Sequence, residues 1–143
     1  MKGLIALALA ASIALPAVAQ AAAKSGSYSG TSSGKYVQVG QATEPTDKGK
    51  VTFSVKSNKV QNLKLRGQLF QCGPPAEIPV TVKAISLNSR GKGSASFKDP
   101  AIGTLKISIA VSSKGTASGS VKAASGASLC NPDYPVKFSA KRK

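Results

Sequence analysis

Histidine, the side chain most often used for proton transfer and zinc binding, is absent from this sequence. Its absence removes the Ser-His and Cys-His pairs on which most nucleophilic hydrolases depend. The two cysteines, Cys72 and Cys130, cannot form an ordinary zinc site alone, because zinc takes about four ligands. A disulfide is therefore the first interpretation of these thiols, with a metal pair or a reactive thiol as the alternatives.

Acidic side chains are also scarce. The chain has five, Glu44, Asp47, Glu77, Asp99 and Asp133. Glycoside hydrolysis needs a pair of opposed carboxylates, and calcium needs several clustered oxygens, but these acids form no cluster and several lie beside prolines, a setting typical of turns. The glycines fall at turns, outside the strand–loop–helix context of a phosphate-binding loop. We expect no enzyme activity, no metal and no cofactor.

Positive charge is the one strong functional signal in the sequence. Twenty Lys and Arg residues stand against the five acids, which gives a formal net charge of +15. Six cations within predicted strands, several of them opposite apolar positions, are the candidate binding residues: Lys64, Arg66, Lys83, Lys106, Lys122 and Lys137. If neighbouring strands align, some would form one basic face that attracts polyanions at long range, more weakly as salt rises. The alternative is a solvated surface that opposes aggregation of strand edges.

Nucleic acid is a weaker prediction, because single-strand binders need aromatic rings interleaved with their charges. Phe53 and Phe138 share faces with aliphatic neighbours and are predicted to lie in the core. Tyr28 and Tyr36, near the start of the chain, are the predicted exposed pair. We expect no sequence-specific recognition of nucleic acid.

Short segments of alternating apolar and polar residues run through the chain, which is the pattern of half-buried strands. The clearest are 51–56, 60–71, 78–82, 92–97, 105–111, 116–122 and 136–141. Turn residues separate them, and at most one short helical turn is expected, near Pro100 to Gly103. About eight short strands at regular spacing predict an all-β fold, an antiparallel β-sandwich or barrel.

Residues 1–19 have the layout of a cleavable helical signal peptide. Lys2 is followed by an apolar run from Gly3 to Leu15 and by the small residues Ala17-Val18-Ala19. The run is shorter than the roughly 20 residues that a spanning helix needs. We therefore expect cleavage after Ala19 or Ala21, a secreted or extracytoplasmic protein, and no transmembrane segment after cleavage. Residues 20–26 would be a flexible leader and residues 27–143 a single domain.

Export strengthens the disulfide interpretation of the cysteines, because thiols outside the cytoplasm are usually oxidised in pairs. A bond between Cys72 and Cys130 would close a loop of about 59 residues. Chain-entropy arguments put its stabilisation at about 4 kcal/mol, as an upper figure.

Several short motifs occur in an order found in one group of proteins. The stretch Gly26-Ser27-Tyr28-Ser29-Gly30-Thr31 opens the domain, a strand, a tight turn and a long strand ending in Cys72 follow, and Cys130 precedes a final strand. In this the chain resembles small secreted all-β domains common in soil actinobacteria. Tyr36 to Lys48 departs from the pattern as an insertion. The resemblance implies an exported all-β domain with one disulfide, and it transfers no catalytic residues.

Two functions remain after these exclusions. The first is a secreted, non-catalytic binding or cell-envelope-associated module, whose basic surface takes anionic envelope polymers or lipid headgroups. The alternative is a protein-interaction or protease-inhibitor-like module that acts through the Cys72–Glu77 loop. Pro74 and Pro75 would stiffen that loop, and rigidity lowers the entropy cost of binding. A plain loop at the end of a strand explains the same residues.

Overall fold

Strands make up almost all of the chain that the computed structural model describes, namely residues 22–33, 35–37, 43–45, 49–66, 80–100, 103–123 and 135–143. They are β1 (Gly26–Ser33), β2 (Lys35–Val37), β3 (Thr43–Pro45), β4 (Gly49–Lys56), β5 (Lys59–Arg66), β6 (Val80–Ser86), β7 (Lys92–Asp99), β8 (Gly103–Val111), β9 (Thr116–Ala123) and β10 (Val136–Arg142). No helix occurs in these ranges. The all-β prediction is confirmed.

Eight strands form one antiparallel sheet in the order β6-β5-β4-β1-β10-β9-β8-β7, and β2 pairs separately with β3. Neighbours in the sheet are neighbours in the chain, except that β1 lies between β4 and β10 and so joins the two halves. The free edges, β6 and β7, approach each other beside the turn that connects them. A Cβ on Gly93 of β7 would lie 2.9 Å from Cγ2 of Ile85 on β6. The sheet is therefore a nearly closed up-and-down barrel.

Apolar side chains fill the barrel. Seven of the eight strands contribute buried residues, and on the eighth, β7, Ala95 and Phe97 are half-buried against them. The largest completely buried side chains are Tyr28, Leu63, Leu65, Ile85, Leu105 and Ile107. Burial of this surface is the main favourable term in folding, at about 25 cal/mol per Å² of apolar area.

The predictions for the burial of the aromatic side chains are confirmed in part. Phe53 and Phe138 are buried, as predicted. The prediction of an exposed Tyr28 is wrong, because its side chain is only 1% exposed. Its ring stacks on the cross-strand partner Phe53, with centroids 4.9 Å apart and planes 6° from parallel. The side chain of Tyr36 lies outside what the structure describes.

Residues just before β1 are held against the barrel. Ala23 is buried, and the amide of Lys24 donates a hydrogen bond to the carbonyl of Ser112 at 3.2 Å. The Tyr28 hydroxyl donates to the carbonyl of Lys24 at 2.7 Å. The sequence predicts residues 20–26 to be a flexible leader. Within that stretch Ala23 is packed against the barrel and Lys24 is hydrogen-bonded to it.

The two ends of the barrel are built differently. At one end, which we call the turn end, lie residues 22–25, the connections 57–58, 87–91 and 112–115, and the C-terminal Lys143. At the other, the loop end, strands are joined by the segments 34–48, 67–79, 100–102 and 124–135. This alternation follows from the up-and-down order, because successive connections must fall at opposite ends.

Candidate binding surface

The six cations predicted to bind are all exposed, but they do not share one face. Lys64, Arg66 and Lys83 project from β5 and β6, whereas Lys106, Lys122 and Lys137 project from β8, β9 and β10. We call these six residues the wall set. In the sheet order, β4 and β1 separate the two groups on one side, and β7 separates them on the other. The closest pairing in the set is Lys106 opposite Lys122.

A denser cluster of cations lies at the turn end, and the sequence-based set contains none of its members. We call it the basic end. Nine exposed residues form it: Lys24, Lys56, Lys59, Arg90, Lys92, Lys114, Lys141, Arg142 and Lys143. Strand registers bring them together, because Lys56 pairs with Lys59 and Lys141 with Thr116, each beside a turn.

The two acids among the described residues, Asp99 and Glu44, belong to the loop end of the barrel. Asp99 is the last residue of β7, opposite Gly103, and Glu44 lies in β3 within the connection from β1 to β4. The other three acids belong to segments that join strands at the loop end, outside the described residues. Cations also occur at the loop end, where Lys50 pairs with Arg66 and Lys98 precedes Asp99. The asymmetry lies in the acidic side chains, because the turn end carries none.

Short, well-bonded turns fix the backbone of the basic end. The Asn88 side-chain oxygen accepts hydrogen bonds from the amides of Arg90 and Lys92, at 2.9 and 3.0 Å. The Ser112 hydroxyl accepts from the amides of Lys114 and Thr116, at 3.2 and 3.1 Å. Such side-chain caps hold the cationic residues at set positions while their ammonium groups stay in water.

Glycines complete the same turns. Gly91 and Gly115 have φ angles of 71° and 83°, in the left-handed region that L side chains rarely adopt. Glycine thus supplies the positive φ that these two turns require. Gly49, which starts β4 after a similar sequence, is not in this region among the described glycines.

The C-terminal residues tie the basic end together. The amide of Arg142 donates to the carbonyl of Gly115 at 2.8 Å, and its guanidinium Nη1 donates to the carbonyl of Ser25 at 3.2 Å. The amide of Lys143 donates to the carbonyl of Ser27 at 2.9 Å. Arg142 and Lys143 are thus bonded to the start of β1 and to the β8–β9 turn.

Tyr28 is a titratable group whose pKa is changed by its surroundings. Burial raises its pKa, and the nearby Arg142 guanidinium partly opposes this increase. The hydroxyl is therefore protonated near neutral pH and available to donate to Lys24. Its position in the core and its partner make Tyr28 a structural residue.

Hydroxyl groups occupy much of the barrel exterior between the cations. A shallow depression across β7, β8 and β9 is lined by Ser94, Ser108, Ser118 and Ser120, with Lys92 and Asn88 at its rim. Of the aromatic rings that the structure places, Phe97 is half-buried and the others are buried. This part of the surface has no ring on which a base or a sugar could stack.

The remaining predictions concern metal ligands, membrane spans, the cysteines and the signal segment. The described residues hold no group of three or more His, Cys, Asp or Glu that could bind a metal. No helix among them is long and apolar enough to cross a membrane. Cys72, Cys130, the Cys72–Glu77 loop and the signal segment 1–19 lie outside them, so those predictions stay predictions.

No family model, curated protein or solved structure matches this chain. A barrel of this kind supports many unrelated functions, so the fold alone does not choose one. We therefore argue function from the distribution of charge on the barrel.

Proposed function

We propose that the protein is a secreted, non-catalytic module that binds an anionic polymer of the cell envelope through its basic surface. The basic end is the observation that carries this proposal. A surface evolved only for solubility needs no end free of acids, yet nine cations and no acidic side chain lie at the turn end, whereas the described acids share the loop end with cations such as Lys50, Arg66 and Lys98.

The charge balance favours a polyanion over a small ligand. The described ranges hold 18 of the 20 Lys and Arg residues, all but Lys2 and Lys48, and two of the five acids, Glu44 and Asp99. One exposed ion pair contributes only about 0.2–1 kcal/mol, so useful affinity requires many contacts with one ligand. A polymer with closely spaced negative charges can provide them, because each bound group keeps the next one near.

Binding to purified anionic cell-wall polymer tests the proposal. We expect the full mature chain to bind in low salt and to lose affinity steeply as salt rises, because association releases counterions condensed on the polymer. A neutral polysaccharide of similar length is the matched control and should not be retained. Affinity that does not change with salt, or equal retention on the neutral polymer, would contradict the proposal.

Secretion and a Cys72–Cys130 disulfide belong to the same proposal. Cleavage after Ala19 or Ala21 would leave intact Ala23 and Lys24, which contact the barrel. The two cysteines lie in the segments 67–79 and 124–134, and the strand residues that flank both segments are at the loop end. This shared location supports the pairing, since a disulfide needs Cα atoms within about 7 Å.

Mass spectrometry of the exported protein checks both features together. We expect an N-terminus at Gln20 or Ala22 and a mass about 2 Da below that of the reduced chain, because a disulfide removes two hydrogens. Reduction should add back the two hydrogens and so remove the mass difference. A variant with both cysteines replaced by serine should show no mass change on reduction. An exported protein that still begins at residue 1 would contradict cleavage of the signal peptide. Two thiols that react with an alkylating reagent before reduction would contradict the disulfide.

A further inference from the structure

We propose that the polymer docks end-on, across the basic end, and that the wall set contributes only long-range attraction. This inference rests on the proposed function and names the surface that performs it. The partner is a chain of closely spaced phosphate or carboxylate groups that crosses the turns 57–58, 87–91 and 112–115.

The basic end brings together cations from separate parts of the chain. Lys56 and Lys59 flank the β4–β5 turn, Arg90 lies in the β6–β7 turn with Lys92 directly after it, and Lys114 lies in the β8–β9 turn. The wall set instead divides into two groups on different sides of the barrel. A polymer segment that touches one of these groups leaves the other facing solvent.

Hydrogen bonds hold the backbone that carries these cations in a fixed conformation. The side chains of Asn88 and Ser112 cap two of the turns, and the Arg142 amide bonds to Gly115 of the second. Charges held at fixed positions lose less conformational entropy on binding than charges on a mobile tail. The basic end therefore offers a preorganised array.

The chemistry of the turns favours a polymer over a lipid bilayer. The tips of the three turns carry Ser57 and Asn58, Asn88 to Arg90, and Ser112 to Gly115. Leu87, the apolar residue beside them, is buried. Stable attachment to a bilayer takes a second, apolar signal in addition to a basic patch. The three turns carry no exposed apolar side chain that could insert into a bilayer.

Two matched variants of the full mature chain test end-on docking. The basic-end variant replaces Lys56, Lys59, Lys92 and Lys114 with glutamine. The wall variant makes the same change at Lys64, Lys106, Lys122 and Lys137, so both lose four charges of the same type from exposed positions. Melting curves establish that both variants fold. The probe is inorganic polyphosphate of defined length, measured at several salt concentrations.

We expect the basic-end variant to bind polyphosphate roughly 30-fold more weakly at low salt, because it loses four contacts that are each modest. The slope of log affinity against log salt should fall by roughly 3 for this variant. The wall variant should change several-fold at most. On the native protein, polyphosphate should shift the amide resonances of Asn58, Arg90 and Lys114 and leave those of Lys106 and Lys122 unchanged.

The outcomes separate this inference from the proposed function. Equal losses in the two variants, or resonance shifts spread over the walls, would overturn end-on docking and leave polyanion binding standing. No binding of the native protein to polyphosphate or to cell-wall polymer would overturn both. Tight binding to vesicles of equal phosphatidylglycerol and phosphatidylcholine, without binding to polyphosphate, would assign the basic end to a bilayer and contradict the inference.

Discussion

Gly30→Ala should destabilise the protein by about 4 kcal/mol or more, close to the total stability of many small domains. Gly30 lies in β1, between Ala140 of β10 and Val51 of β4. A Cβ at this position would lie 2.5 Å from the Ala140 Cα and closer still to the Ser139 carbonyl oxygen. Both atoms belong to the backbone, so no change of rotamer relieves the overlap, and β1 and β10 must separate.

The separation would act at the one ladder that joins the first and last strands of the barrel. We expect urea denaturation of Gly30→Ala to show a much lower midpoint, or an unfolded protein at zero urea. Ser29→Ala is the control, since it is the neighbouring residue of the same strand and is not buried. Its unfolding free energy should change by less than about 0.5 kcal/mol. A Gly30→Ala protein as stable as that control would show that β1 and β10 can accommodate a methyl group.

Local alternation was enough to predict most strands and their inward faces. In β8 the apolar residues Leu105, Ile107, Ile109 and Val111 are all buried, and the intervening Lys106 is exposed. This works because side chains on a strand point alternately to the two faces, so the pattern of one segment determines which side faces the core.

Alternation fails where the ladder is irregular. Val60 and Leu63 of β5 are both buried although they are three residues apart. Asn62 between them has a φ of 52°, and the register of β5 against β4 shifts by one residue at this place. This β-bulge changes which face the following residues occupy. Leu63 and Leu65 therefore face the core, whereas an alternation continued strictly from Val60 would have put Lys64 inside.

Contacts between distant parts of the chain could not be predicted from local sequence patterns. Tyr28 is the one apolar side chain in a strand of Ser, Gly and Thr, so its surroundings in sequence suggest exposure. It is buried because β1 pairs with β4 and β10, which start more than twenty and one hundred residues later. Closure of the barrel thus determines the burial of Tyr28.

The basic end was missed for a related reason. Its cations lie in the turns, in strand residues beside the end of the barrel, or just outside β1 and β10, so the alternation within a single strand does not bring them together. The information was present in the sequence, because in an up-and-down sheet every second connection falls at the same end. The short connection that follows Lys56 and those that contain Arg90 and Lys114 are such a series, and long connections that contain acids alternate with them.

Tyr28→Ala should destabilise the barrel by about 3–5 kcal/mol, the usual cost of removing a large buried aromatic ring. The change deletes the stack on Phe53 and leaves space in the core. It also removes the hydrogen bond from the hydroxyl to Lys24. Thermal or urea unfolding measures the loss.

Tyr28→Phe separates the ring from the hydroxyl. It should cost only about 1 kcal/mol, because it keeps the stack and loses one hydrogen bond. The Lys24 amide, which donates to Ser112, should exchange its hydrogen faster in this variant while core amides of β4 and β10 keep their protection. Equal losses for the two variants would mean that the hydroxyl, rather than the stacked ring, accounts for the stability. The ring is expected to dominate, because it fills the interior where β1 closes the barrel and the hydroxyl bonds only to the residues leading into it.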